Sequence, residues 1–428
     1  MNGLAVGRWT INGDGQHELV YDPTWIESEQ GRALSLSLPF NFDGKPLLGR
    51  RVQNYFDNLL PDNEAIRKRL RDRYALDSDS AFDLLTALGS DCVGALQLST
   101  GQRAPSAVTT IDAEPIDTAQ VARVLRATTS TGRMFAGDDD FRISIAGAQE
   151  KTALLWHKGQ WCRPRGATPT THIFKLPLGF VGGMRADLRT SVENEWLCSK
   201  LIEAFGVPIA RARIERFEDT KALVVERFDR ELHRSKQWWM RLPQEDFCQA
   251  TATPSSQKYE SDGGPGLATI ARILATSSNR DGDLATLMRA QLLFVLLAAT
   301  DGHAKNFSVH LLAKGAFRLT PLYDVLSAWP VVGDAHDQVH EKKLKLAMAL
   351  WAKNRHYKHC EITRHHLVET AKSCGVHTME SIIDETLARL EGAIDEVGQQ
   401  LTEGFPEALF VSIAEGMRRT AKRLGSDR

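Results

Sequence analysis

The sequence predicts an α+β chain of two lobes, the first rich in strands and the second mostly helical, on two observations. Between residue 141 and about residue 232, short apolar runs ("FRISIAG", "KTALLW", "HIFKLPL", "ARIERF", "KALVVERFDR") are separated by turn residues, with one helix-spaced segment, 191–205, inserted among them. After residue 233 the apolar spacing becomes three to four, in segments near 266–277, 283–299, 364–374, 377–401 and 406–424. The cleft between two such lobes is a preferred place for a ligand.

Ahead of the first lobe, residues 1 to about 100 mix alternating stretches ("LSLSLPF", 34–40; "VGALQLS", 93–99) with a helical segment at 61–75. That helix carries Arg67, Lys68, Arg69, Arg71 and Arg73, which suits a solvated face. "STGQRAPSAVTTIDAEP" then reads as a linker. No internal repeat is visible.

With 428 residues, 42% hydrophobic and 25% charged, the chain has the make-up of an ordinary globular protein with more than one core. A formal net charge of −1 does not advertise strong nucleic-acid binding by the molecule as a whole, so any DNA contact is expected to be local or supplied by a partner. Six scattered cysteines without a C-x-x-C pair argue against a zinc ribbon, a thioredoxin-type site or a disulfide framework. The start, "MNGLAVGRWTINGDGQ", lacks an apolar leader core, and no span of about 20 apolar residues occurs. The expected location is the cytoplasm, with no membrane contact.

The chemistry gathers at "ATDGHAKNFS", 299–308, directly after the apolar run "QLLFVLLA". Polar residues delivered by a buried helix suggest a working site, because buried charge is costly unless paired or metal-bound. The plain alternative is a helix end with Gly302 as its stop. Asp301 and Asn306 have the D-x-x-x-x-N spacing of the protein-kinase catalytic loop, where the Asp handles the attacking hydroxyl and the Asn holds magnesium. Magnesium wants a second hard oxygen ligand. "NFSVHLL" and "FRLTPLYD" flank the turn "AKGA"; if Leu312 faces Phe317, the hairpin returns Asp324 opposite Lys305 and beside Asn306.

A nucleotide also needs a phosphate cradle. "SIAGAQEKT", 144–152, is a small-residue turn between strands, but Glu150 stands where a Walker A loop has glycine, which excludes a P-loop NTPase. Lys175, a lone lysine in "HIFKLPL", is either an exposed strand-edge residue or the kinase lysine that pairs phosphates and a helix glutamate. Glu193 and Glu195 are candidates for that glutamate, with Glu195 favoured. "VVERFD" is then the hinge, with Glu226, Arg227 and Phe228 offering backbone groups to adenine.

"SIAGAQEKTALL", "HIFKLP", "VVERFDR", "RLPQEDFCQ", "KYESDGGPG", "ATDGHAKNFS" and "RLTPLYDV", in this order, resemble the HipA serine/threonine kinase toxins. "NYFDNLLPD" and "FDLLTALGSDCVGAL" are similar to that family's N-terminal subdomain, so the likeness covers nearly the whole chain. It implies a bilobal protein-kinase-like fold divided into an N-terminal subdomain (1–110), a kinase N-lobe with phosphate loop and hinge (111–232) and a helical C-lobe (233–428). It implies ATP and Mg²⁺, and a dimeric helix-turn-helix antitoxin of the HipB type that shares operator DNA. It also implies a protein target of the glutamyl-tRNA synthetase kind, growth arrest and persistence.

Carried over by the resemblance, Asp301 is the catalytic base, and Asn306 and Asp324 are metal ligands. The ATP contacts are Ala146, Gly147, Ala148, Gln149, Glu150, Lys151, Lys175, Glu226 to Phe228, His303, Ala304, Lys305, Asn306, Tyr323 and Asp324. Ser144 matches an autophosphorylated serine. Lys372 matches a lysine at operator DNA, though Gly375 replaces a second basic residue there. Two other readings stay open: a small-molecule phosphotransferase, which shares the Asp, Asn and later Asp, and a non-catalytic subunit of a DNA-binding repressor complex.

Overall fold

A computed structural model describes residues 1–101, 107–129, 149–181, 186–335 and 337–426. The chain forms two compact units: Met1–Leu176, Glu215–Ser256 and Val309–Phe317 in the first, and Pro177–Ile214, Gln257–Ser308 and Arg318–Arg428 in the second.

The first unit is built on an antiparallel sheet in which the strand His172–Lys175 lies between Lys151–His157 and Thr220–Glu226. Its core includes Leu154, Trp161, Phe174, Phe217 and Val224, with Val121 and Leu125 of the helix Thr118–Thr129. A second core gathers around Trp25, Leu38, Phe56, Leu60 and Leu85. Burying each such side chain contributes roughly 1.5–3 kcal/mol.

The alternating stretches 34–40 and 93–99 are turns rather than strands. In the first, Leu34 and Leu38 enter the core while the Ser35 and Ser37 hydroxyls both donate to the Gln249 carbonyl, at 3.2 and 2.6 Å. The period of two there records anchoring to another segment, not a pleat. "RLPQEDFCQ" is that segment. The Leu36 N–H donates to Glu245 Oε1 at 2.8 Å, and Arg241 Nε to Asp91 at 3.2 Å.

Beneath these contacts Arg227, Arg230 and Arg241 are buried with Asp91 and Asp229. Arg227 forks onto Asp229 (2.9 and 2.8 Å), and Arg230 reaches Asp91 at 3.0 Å. The extra positive charge meets main-chain oxygens: Cys92 O accepts from both Arg227 and Arg230, and Gly94 O from Arg230. Burial alone would raise the Asp91 pKa, but the guanidiniums of Arg230, Arg227 and Arg241 hold it well below the usual carboxylate range.

The basic helix, Glu64–Arg73, spends part of its charge internally. Arg67 bonds Asp57 at 2.6 Å, and Arg69 pairs with Glu150.

The second unit surrounds the helix Arg280–Leu297, which is buried on nearly every side. Arg364–Ser373, Met379–Gly398 and Glu407–Ser426 are its longer neighbours in sequence, and the last two pack against it. Ser191–Ala204 packs on Met379–Gly398. No helix among the described residues is long and apolar enough to cross a membrane.

Candidate active site

Helix Arg280–Leu297 stops earlier than Gly302. Its C-cap is Ala298 in the left-handed region (φ 47°), and the Ala299 N–H reaches back to Phe294 O at 2.8 Å. The last carbonyls, which have no partner within the helix, are met from elsewhere in the unit. Val295 O bonds the His359 ring (2.7 Å), Leu296 O the Trp329 indole N–H (2.9 Å) and Leu297 O the Ser327 hydroxyl (2.6 Å). Gly302 instead permits close packing, since a Cβ there would lie 2.4 Å from the Phe294 ring.

The loop that follows leaves Asp301 exposed and buries His303, Lys305 and Asn306. The hairpin after it is one residue out of the expected register. Leu312 N–H donates to Ala316 O (2.8 Å) and Thr320 N–H to Ser308 O (2.9 Å), so the loop is Ala313–Gly315 and not four residues. Lys314 (φ 60°) and Gly315 (φ 77°) make that tighter turn. Pro321 then ends the ladder, and side chains make the remaining link. Asn306 Nδ2 donates to Asp324 O at 3.0 Å, and Tyr323 OH to Lys305 O at 2.7 Å. Asp301, Asn306 and Asp324 all belong to this unit.

Asp324 itself is left-handed, φ 61°. A non-glycine residue there costs on the order of 1–3 kcal/mol and persists where its surroundings over-determine it. They do so here. Leu319 N–H donates to Asp283 (2.9 Å), Leu322 is clasped by Pro208 O and Ala210 N–H (2.8 Å each), and Ser327 exchanges two 2.8 Å bonds with Asn194.

The donor set suits a hard cation. The carbonyl of Asp324 commits the Asn306 amide nitrogen, which orients the amide oxygen away from it, and Asp324 adds a carboxylate.

In the first unit, Lys175 is buried on an interior strand, which removes the strand-edge reading. It stands directly opposite Lys151 across the ladder. The register thus brings two cationic side chains to one place on the sheet. Its signal was hidden, since the hairpin arm Gln160–Pro164 separates the two lysines in sequence. Gln149 Nε2 donates to Leu176 O at 2.6 Å, holding the end of the candidate phosphate loop beside Lys175.

The Arg227 N–H is already used by Thr171 O (2.9 Å), whereas its neighbour Glu226 pairs with His172 at a position not hydrogen-bonded in the ladder. Phe228 lies edge-on to His310, ring centroids 5.7 Å apart. Glu193 and Glu195 are buried on the helix Ser191–Ala204 of the second unit. Ser144, Ala146, Gly147 and Ala148 lie outside the described residues.

Lys372 is exposed in the last turn of Arg364–Ser373 and pairs with Glu369 at 2.8 Å. Gly375 (φ 80°) closes that helix, a conformation that a basic residue would adopt only at a cost. One contact was missed altogether: Tyr259 OH donates to Asp301 Oδ1.

A mixed α+β architecture with a D-x-x-x-x-N loop, a hairpin and a returning Asp defines a protein-kinase-like protein. The chain belongs to the HipA family: residues 143–394 match the HipA-like C-terminal domain and residues 1–99 the HipA N-terminal domain. It is 33% identical to the Sinorhizobium fredii protein Y4mE, over 76% of each chain. It is 28% identical to the serine/threonine-protein kinase toxin HipA of Shewanella oneidensis, over 77% of this chain and 72% of that one. Its fold matches a chain from the crystallised complex of Shewanella oneidensis HipA, HipB and operator DNA, with a TM-score of 0.77 at 24% identity, covering 99% and 95% of the two chains.

Proposed function

We propose that the chain is a serine/threonine protein kinase of the toxin type, which moves the γ-phosphoryl group of ATP to a protein serine. The observation that carries this reading is the joining of Asn306 to Asp324 beside the loop of Asp301. In it, Asp301 takes the proton of the attacking hydroxyl. Asn306 and Asp324 hold Mg²⁺, which when bound neutralises charge on the phosphates. Lys151 and Lys175 supply positive charge to the α- and β-phosphates, and Glu195 is the ion-pair partner of Lys175. Gln149, Glu150, His303 to Lys305 and Tyr323 line the nucleotide with the loop Ala146–Ala148, and Glu226 to Phe228 form the hinge.

The same reading divides the chain at about residues 110 and 232. It takes an aminoacyl-tRNA synthetase as target, self-inactivation at Ser144, a cytoplasmic setting, and a HipB-type antitoxin dimer with which the chain represses its operon. Lys372 would then be at most a weak DNA contact, because Glu369 already pairs with it. Labelled ATP, Mg²⁺ and a bacterial lysate test the core of the proposal. Label in a protein band, lost with Asp301→Asn, is expected. Label only in small metabolites would make the chain a small-molecule phosphotransferase, and no label a non-catalytic repressor subunit.

A further inference from the structure

"KYESDGGPG", 258–266, is specific enough to mark the family, yet none of the roles above uses it. In the structure it forms a built turn against the loop of Asp301. The Ala304 N–H points to Lys258 O at 3.4 Å, and the Tyr259 carbonyl accepts from Asp262 and Gly264 at 3.1 and 3.0 Å. Only glycine fits at 264, where a Cβ would lie 2.0 Å from Gln257 O. Below the turn the buried Glu260 carboxylate accepts from Ala349 N–H at 2.7 Å, and a Cβ on Gly266 would meet that carboxylate at 2.3 Å.

The turn thus fixes the main chain of Tyr259, and the ring is fixed as well. It lies edge-on to His303 (centroids 5.1 Å apart, planes at 79°), with Lys258 Nζ 5.6 Å from its centre. This bracing carries the phenol hydroxyl onto Asp301 Oδ1. A hydrogen bond to a carboxylate is about twice as strong as one between neutral groups.

We infer that Tyr259 is a positioning residue for phosphoryl transfer, setting the rotation of the Asp301 carboxylate toward the incoming hydroxyl. The inference rests on the assignment of Asp301 as the base. In the step concerned, the serine oxygen bonds to the γ-phosphorus as its proton passes to Asp301. The bond from that phosphorus to the bridging oxygen breaks, and ADP leaves with the electron pair. An Asp301 side chain free to rotate would present the wrong oxygen for part of the time. Near-attack geometry of this kind governs turnover rather than nucleotide binding.

The test measures initial rates of label transfer from γ-labelled ATP to lysate protein, with ATP varied, for wild type, Tyr259→Phe and Asp301→Asn. Phenylalanine keeps the ring against His303 and Lys258, and thermal unfolding checks the fold. Tyr259→Phe is expected to lower kcat by roughly 10–100-fold, with the ATP KM and the calorimetric ATP affinity unchanged. Wild-type kcat in Tyr259→Phe beside an inactive Asp301→Asn overturns this inference alone, and so does a loss that appears in the ATP KM rather than in kcat. Full turnover in Asp301→Asn overturns the kinase assignment and this inference with it. If Tyr259→Phe unfolds, Tyr259→Leu, which also lacks a donor, is measured under the same criteria.

Discussion

The side-chain amide of Asn306 donates to the main-chain carbonyl of Asp324, 18 residues on, at 3.0 Å. One residue therefore serves twice, its nitrogen clamping the returning strand while its oxygen belongs to the candidate metal site. Asn306→Asp separates the two roles, because a carboxylate keeps hard oxygens and loses the donor. Turnover is expected to fall at least 100-fold, and the Mg²⁺ needed for half-maximal rate to rise. A Mg²⁺ titration of the labelled-ATP assay measures both. Near-normal rate at ordinary Mg²⁺ would show that the clamp is dispensable.

Asp324→Asn makes a complementary case. Asparagine tolerates the left-handed region, so the φ of 61° should survive while the carboxylate is lost. The expected result is a Tm within about 2 °C of wild type, since Asp324 is only half-buried and asparagine keeps its shape. Phosphoryl transfer should be undetectable. A cooperative fold with retained activity would remove Asp324 from the metal site.

Lys175 and Lys151 face one another across the central ladder, which sets two cations side by side where the proposal places the phosphates. Lys175→Met removes one of these charges and keeps an unbranched side chain on the strand. The rise in Tm that ATP gives the wild type should disappear, because binding stabilises only in proportion to affinity. Thermal scans with and without ATP decide it; an unchanged ATP-dependent rise would refute a phosphate role for Lys175.

The parts of the molecule that were legible in the sequence share one trait: their signals are local. The run before Asp301 is apolar on every face, so a buried helix ending near residue 298 followed from it, and the hairpin could be placed from its strands and its glycine. Register was not legible to the residue, because Lys314 accepts a positive φ that nothing in its side chain announces. The lysine pair depended on a sheet order that sets residues 151 and 175 side by side. Tyr259 reaches Asp301 across 42 residues. Nothing local marks the arginines of "VVERFDR" and "RLPQEDFCQ" as buried, because the groups that receive them, Asp91 and the Cys92 and Gly94 carbonyls, lie more than a hundred residues away.

That buried network makes its own prediction. Arg227→Met deletes the guanidinium that forks onto Asp229 and also donates to Thr170 (2.9 Å) and Cys92. Breaking one member of a buried charge group costs about 3–5 kcal/mol. Urea unfolding should report a loss of that size. A loss under about 1 kcal/mol would mean that water enters the network.

Glu245 gives the last prediction its sign. Burial pushes its carboxyl up to about 8, against the opposing effect of the nearby Ser35 hydroxyl and the hydrogen bond from the Leu36 N–H, while the neighbouring Asp246 charge adds to the rise. An unfolded chain releases that proton near pH 4.5. Between about 4.5 and 8 the folded protein therefore holds a proton that the unfolded chain has lost. The contribution to stability is complete below the lower value and declines as pH rises, by up to about 1.4 kcal/mol per pH unit. Glu245→Gln keeps the shape and removes the titration. Relative to wild type, the variant should gain stability steadily from pH 5 to pH 8. Histidines titrating in the same range affect both proteins alike and cancel in the difference. Chemical unfolding of both proteins at pH 5, 6.5 and 8 provides the comparison. A stability difference independent of pH would mean that Glu245 is ionised in the folded state, with a cation or water reaching it. The pH dependence, not the absolute cost of the substitution, is the decisive quantity, because Glu245 Oε2 has no hydrogen-bond partner among the described residues and a glutamine amide placed there would have none either.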